Sequence, residues 1–503
     1  MQRRKSYLLI AGALVFLIGY NVYGRGHQAM LHRLLQAAGR GDTASVRSLL
    51  RLGFSPNAKE AGASPCGSPA VVAAACGGQT ETLRLLLDHG GDVNARGPEG
   101  QTALALAIQQ GRHDAALLLL QRGADPNLPS PEIGRSTLSA AAAAGWMDVV
   151  EKALARGVPP DGGTIGGSAD RPLCFAAAAG QGEAVRLLLD RGASLDARLD
   201  NGMNALMCAA VAGRADVVDL LLRRGADVRA VDCYGCTPLI WAAYSGDLDT
   251  VKRLLQSGAD INARDQDGLT PIVYAPGAGD PATVHFLLEK GADIRGRLGY
   301  AALLSAMQDG LKGGAVAFAV PEIRKRAMVR DLLAHGADPN PSGAFYKPRM
   351  KRLVDYGIPV NLYLLDFNSL LYSSYARGIA PVISSALQRR GYITRMLLQH
   401  GAEVDTRDWQ GRTALMYAIA RDNMGSVEAL LSAGADVNTQ DIHGRTVLEY
   451  ALYWGNPEMV QRLVAQGVDV NATGDRPYTP LRIAMQGRLT RIVRILKQAG
   501  AKY

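Results

Sequence analysis

The feature that most constrains this chain is a repeat. Residues 232–264, DCYGCTPLIWAAYSGDLDTVKRLLQSGADINAR, are followed without a gap by residues 265–297, DQDGLTPIVYAPGAGDPATVHFLLEKGADIRGR. The same frame returns at Asp408 (DWQGRTALMYAIARDNMGSVEALLSAGADVNTQ) and at Asp441 (DIHGRTVLEYALYWGNPEMVQRLVAQGVDVNAT). A unit of this size cannot bury its own apolar surface, so self-similarity at a fixed short period specifies a stack of units that cover one another. A chain of 503 residues therefore need not divide into several globules.

Each part of the frame has a physical reading. Thr237-Pro238 predicts a helix start, because a proline in the first turn lacks an N–H that would be unpaired there anyway. Leu239, Ala242 and Ala243 give that helix a narrow apolar face, and Ser245-Gly246 ends it with a residue able to take positive φ. Val251, Leu254 and Leu255 predict a second helix with one buried stripe. Gly258 closes it, while Asp232 and Gly235 suit the tight turn at the tip of the unit. The closing glycine recurs as Gly53, Gly90, Gly123, Gly157, Gly192, Gly225, Gly258, Gly291, Gly336, Gly401, Gly434, Gly467 and Gly500. Leu34, Gly41 and Val46 place the first copy on the frame from His27 onward. The chain is 48% hydrophobic but only 6% aromatic, so alanine and leucine must build the core, which suits closely packed helices.

These residues resemble the ankyrin repeat, whose pattern is D-x-x-G-x-T-P-L-H-x-A-A-x-x-G, a second helix and then G-A-D-V-N. The resemblance implies an all-α solenoid of about 13–14 helix-turn-helix repeats with short β-hairpin-like tips. Repeats are expected over 27–310 and 375–503, with an insertion and a degenerate repeat over 311–374. Residues 311–328, LKGGAVAFAVPEIRKRAM, are expected to lengthen a turn between two helices. From Ser342 to Ser374 the spacing survives, with Lys347-Pro348 where Thr-Pro belongs, but Gly357-Ile358-Pro359-Val360-Asn361 is out of register. Either an eroded repeat or a short one followed by an inserted helix fits. Order returns at Tyr375, so the stack is expected to continue through the gap.

Residues 1–6 form a basic tail with Arg3, Arg4 and Lys5, and residues 7–24, YLLIAGALVFLIGYNVYG, carry no charge. A helix of about 17 apolar residues just crosses the hydrocarbon, so this segment reads as one N-terminal transmembrane helix. No small-x-small cleavage site follows, which favours a retained signal anchor. The basic tail argues for a cytoplasmic N-terminus and an exported body, in a bacterium a single-pass inner-membrane protein facing the periplasm, although Arg25 and Arg33 pull the other way. The net charge of +9 is spread along the chain without a basic stripe interleaved with aromatics. That balance argues against nucleic acid and suits acidic partners or an anionic membrane surface.

Several apparent motifs dissolve in the frame. Cys233 and Cys236 have the spacing of a redox pair or of half a zinc site, and an exported body would favour a disulfide within the tip, yet they occupy the second and fifth positions of a repeat tip. No second ligand pair has suitable spacing for zinc. Cys174, Cys208 and Cys76 read as small apolar residues in or ending first helices. His89, His335 and His400 precede closing glycines, where a hydrogen-bonding side chain suits free helix carbonyls. GGTIGG, 162–167, lacks the Lys-Ser/Thr of a phosphate loop and reads as an enlarged tip. Asn471-Ala472-Thr473 matches a glycosylation acceptor, but the asparagine belongs to the repeat.

In proteins resembling this family the tips and first helices line a concave groove that grips a partner protein. Carried onto this chain, the groove positions hold Tyr234 and Tyr244, then Trp409 and Arg412, then Ile442, His443, Arg445, Tyr453 and Trp454, and last Tyr478. Aromatic and arginine side chains dominate interfaces because they bury much area for few rotamers. The expected function is a non-enzymatic protein-protein interaction scaffold anchored through residues 7–24, with no cofactor, metal, nucleic acid or small-molecule substrate. More specific forms are an immunity or stress-protection protein serving an exported enzyme, or a host-directed secreted effector. No constellation of acid, base or nucleophile survives the repeat assignment to support an enzyme.

Overall fold

A computed structural model describes residues 27–59, 69–128, 135–165, 168–307, 320–340, 380–474 and 478–503. It divides into two compact units, Met1–Ala226 and Asp227–Tyr503, and each is built from helix pairs. In the first unit, helix 27–40 pairs with Thr43–Arg51, Ala70–Gly77 with Thr80–Asp88, and Ala103–Gln109 with His113–Gln121. Thr137–Ala144 pairs with Met147–Ala155, Pro172–Ala179 with Gly182–Asp190, and Ala205–Val211 with Ala215–Arg223. In the second unit the pairs begin at Pro238–Ser245 with Leu248–Gln256 and end at Pro480–Gln486 with Thr490–Gln498.

Most first helices are apolar nearly all round and buried. Val71, Ala74 and Ala75 are fully covered in one, as are Leu239, Ala242 and Ala243 in another. Such a helix needs cover on every side, and it is packed between the first helices of adjacent layers and its own partner. The second helices are amphipathic, burying one stripe such as Leu83 and Leu86 or Val251 and Leu254. Threonine caps many first helices, the Thr237 hydroxyl accepting from Ile240 N and the Thr446 hydroxyl from Glu449 N. All thirteen closing glycines have φ between 81° and 101°. An added Cβ would meet nothing within 4 Å at any of them, so the left-handed backbone rather than space demands glycine there.

The asparagine ending the repeat ties one layer to the next. The Asn262 carbonyl oxygen accepts from Asp293 N at 2.8 Å, and Asn438 does the same for Asp469 N at 2.7 Å. Asn471 accepts from Lys502 N and donates to Gly500 O, so both ends of its amide are engaged in the stack. His89, His335 and His400 each bond the carbonyl four residues back, at 2.9, 2.7 and 2.9 Å, which is the end-of-helix role expected of them.

Across 341–379 the frame behaves differently from a regular step. The pair Arg297–Met307 and Glu322–Ala334 packs directly against Pro381–Leu387 and Gly391–Gln399. Asn340 accepts from Glu403 N at 2.7 Å, the usual interlayer bond spanning 63 residues instead of 31. The Arg390 guanidinium lies on Glu322 at 3.5 Å and donates to Met307 O. The described layers are therefore immediate neighbours. The degenerate repeat expected at 342–374 lies outside the described residues.

Three expectations need correction. Residues 322–328 do not belong to a lengthened turn but to the second helix itself, which runs Glu322–Ala334. Pro321 at its start and a run of Glu, Arg, Lys, Ala and Met favour that extension. Cys76 is buried but disulfide-bonded rather than simply packed. The first-helix pattern carried no sign of the bond. The first helix at Pro271 is also broken, running Pro271–Tyr274 and then as a 3-10 turn over Ala275–Ala278, because Pro276 removes an interior N–H. GGTIGG does form an enlarged tip, a hairpin pairing Gly163–Ile165 with Ser168–Asp170. Among the described residues no helix is long and apolar enough to cross a membrane. The segment 7–24 lies outside them.

Candidate partner-binding surface

The surface is organised by the aspartate that opens each tip. Asp408 accepts from Gln410 N and Arg412 N, both at 2.8 Å, and Asp441 from His443 N at 2.9 Å and Arg445 N at 3.0 Å. Those bonds close the tight turn that the sequence implied. The second carboxylate oxygen takes an aromatic donor nine residues on, Tyr417 Oη at 2.7 Å or Tyr450 Oη at 2.9 Å. Arg412 and Arg445 complete the group, each with an Nη2 on that same oxygen at 3.1 and 2.8 Å. Their guanidinium planes lie 4.6 and 5.5 Å from the Tyr417 and Tyr450 ring centres. Burial raises the Asp441 carboxyl, but the Arg445 amide, the Tyr450 hydroxyl, the His443 amide and the Arg445 charge outweigh it and hold it below the usual range.

Neighbouring tips are bonded edge to edge, Ile442 N donating to Gln410 O at 3.0 Å and Arg407 Nη1 to Gln440 O at 2.9 Å. The platform they form presents large apolar side chains to solvent. Trp409 is 60% exposed, Ile442 62%, Tyr453 85% and Trp454 54%. The Tyr453 and Trp454 rings meet edge to face at 5.9 Å, on the last turn of the helix Val447–Trp454 before Gly455. His443 is exposed beside Ile442.

The other predicted positions differ. Tyr244 packs edge to face on Trp241 at 6.1 Å, and burial pushes its hydroxyl up to about 12, so it fills the layer. Tyr234 is half-buried, its carbonyl accepting from Gln266 N of the next tip. Tyr478 lies half-buried beneath the Arg482 guanidinium at 4.6 Å. Arg412 and Arg445 are held inside their own tips. Aspartate at the first tip position, arginine four residues on and tyrosine nine residues on is a pattern visible in the sequence, and it could have placed those arginines.

The tip at Asp232 carries two free thiols. Burial pushes the Cys236 thiol well above its ordinary value, reinforced by Asp232, Asp265 and Asp267, and burial also raises Cys233. A redox pair needs the opposite shift. Cys174 and Cys208 are buried, and the Cys208 thiol is raised by its hydrogen bond with Cys174 and then by burial. No three His, Cys, Asp or Glu side chains among the described residues converge to hold a metal.

A family model described as Ankyrin repeats (3 copies) matches residues 34–130, 173–265, 239–342, 350–441 and 427–503, most of the chain. No curated protein matches it.

Proposed function

The chain belongs to the ankyrin repeat family, and from that premise we propose that it is a non-enzymatic scaffold whose tip platform between Trp409 and Trp454 grips a partner protein. Proteins of this family are in general protein-protein interaction modules. The observation that carries the assignment is the exposure of Trp409, Ile442, Tyr453 and Trp454 on tips and a helix end already fixed by buried bonds. Rigid aromatic anchors lose little freedom on binding. Because Arg412 and Arg445 are neutralised within their tips, they shape this platform more than they charge it.

The second part of the proposal is location. The uncharged segment 7–24 anchors the protein in the inner membrane with its body in the periplasm. The disulfide at Cys76 supports an oxidising compartment. A reporter fused at Tyr503 reads the orientation, and periplasmic activity is expected. Partner capture from membrane extracts by the detergent-solubilised full chain tests the platform. Trp409→Ala with Trp454→Ala is expected to lose the captured partner at unchanged thermal stability, and capture at wild-type level would refute the assignment.

A further inference from the structure

One layer of the second unit departs from the others in charge. Its second helix, Thr490–Gln498, presents Arg491, Arg494 and Lys497, and Arg488 stands just before it. All four are exposed and make no ion pair among the described residues. No acidic residue occurs anywhere in 478–503. At 100° per residue the buried Ile492 and Leu496 face the core, Arg494 points directly away, and Arg491 and Lys497 flank it.

Two of these cations stand where local physics disfavours them. The second position of the second helix is acidic in several layers, as with Glu81, Asp114, Glu183, Asp249 and Glu458, and neutral in others, as with Ala282, Tyr392 and Gly425. A carboxylate there suits the positive end of the helix dipole, whereas Arg491 opposes it. Arg488 has φ 54°, at a turn where Gly145, Gly180, Gly246 and Gly455 take the left-handed backbone and where Arg389 and Asp422 also do, at φ 61° and 51°. A non-glycine residue in that conformation is strained, a cost this layer shares with those of Arg389 and Asp422, so it is the charge of the helix face that sets this layer apart.

We propose that Arg488, Arg491, Arg494 and Lys497 form a second docking surface, for an acidic segment of a protein partner. Charge complementarity selects an anion, and the guanidinium fork fits carboxylates two oxygens at a time. The choice of a polypeptide rests on the protein-binding function proposed above. Two features of the face agree with it. The helix's apolar side is turned into the core, leaving nothing to insert into lipid, and no aromatic ring stands on the face to stack a nucleic-acid base.

The test uses the full chain in neutral detergent and a fluorescent polyglutamate peptide. Binding that weakens with added salt is expected, and about tenfold weaker binding by R488G/R491E/R494E. R494Q, on the outermost position, should weaken binding two- to threefold, and it keeps the proposal testable if the triple variant fails to fold. The Trp409→Ala, Trp454→Ala variant should bind polyglutamate normally, which separates failure of this surface from failure of the aromatic platform. Polyglutamate binding unchanged in both arginine variants would overturn the proposal. So would tighter binding of a charge-matched DNA duplex, or displacement of the peptide by phosphatidylglycerol-doped micelles at lower anion concentration.

Discussion

The tips at Asp232 and Asp265 and those at Asp408 and Asp441 share one backbone design and part company at the fifth residue. In the earlier pair the carboxylate also closes the turn, Asp232 accepting from Tyr234 N and Cys236 N at 2.9 Å and Asp265 from Asp267 N at 2.8 Å and Leu269 N at 2.9 Å. It also takes an aromatic donor nine residues on, Trp241 Nε1 at 3.0 Å for Asp232 and the Tyr274 hydroxyl for Asp265. The fifth position, however, is Cys236 or Leu269 rather than Arg412 or Arg445. Burial then outweighs the hydrogen bonds and raises both carboxyls, where Asp441 is lowered. The same fold element can thus be built around an uncompensated buried carboxylate or around an ion pair, and the family frame does not dictate which. The aromatic platform sits on the ion-paired version.

The largest expected effect tests that difference directly. Asp441→Ala removes the Arg445 ion pair as well as the Tyr450 and amide hydrogen bonds, and should lower the local opening free energy of its layer by about 2 kcal/mol. Asp232→Ala strands no cation and should cost about 1 kcal/mol. Amide exchange in Val447–Trp454 and in Pro238–Ser245 measures both, and equal losses would break the comparison. Exchanging the fifth residue should move the carboxyls themselves. Arg445→Leu is expected to raise the Asp441 carboxyl and Leu269→Arg to lower that of Asp265, read by carbon-detected titration. If neither moves, burial rather than the fifth residue sets the difference.

The pH dependence should also have opposite sign in the two regions. Asp441 titrates below its unfolded value, so its contribution is present above the ordinary carboxylate range and is lost as pH falls through the folded value. Asp232 and Asp265 titrate above theirs, so their contribution is complete below the unfolded value and is lost as pH rises through the folded one. Acidification from neutral pH should therefore loosen the Asp441 tip while tightening the earlier pair, once exchange rates are corrected for intrinsic pH dependence. The smallest difference is expected at the closing glycines. Gly258→Ala and Gly434→Ala should each cost about 1–2 kcal/mol through positive φ, and unequal costs would show that the two regions differ beyond their tips.

Much of the fold was legible because its rules are local. A left-handed glycine after each second helix, a threonine cap and an asparagine reaching the next layer are each forced by a few consecutive residues, so the period exposed them. The family pattern also named Trp409, Tyr453 and Trp454, which stand exposed. It named Tyr244 as well, which is packed, because one groove position serves either a partner or the neighbouring ring. The disulfide at Cys76 and the start of the helix at Glu322 escaped the frame, which fixes neither a cysteine's bonding nor the length of a second helix.

The sequence by itself determined the helix pair, its caps, its closing glycine and the order of the layers, because these follow from dihedral preference and apolar spacing within one unit. Only the tertiary structure decided which arginines are held by their own tips, which aromatics remain in solvent, and that the layer before residue 341 packs directly on the one after 379. Those outcomes depend on burial and on neighbours far apart in the chain, and a carboxylate's charge or a ring's exposure is a property of what surrounds it.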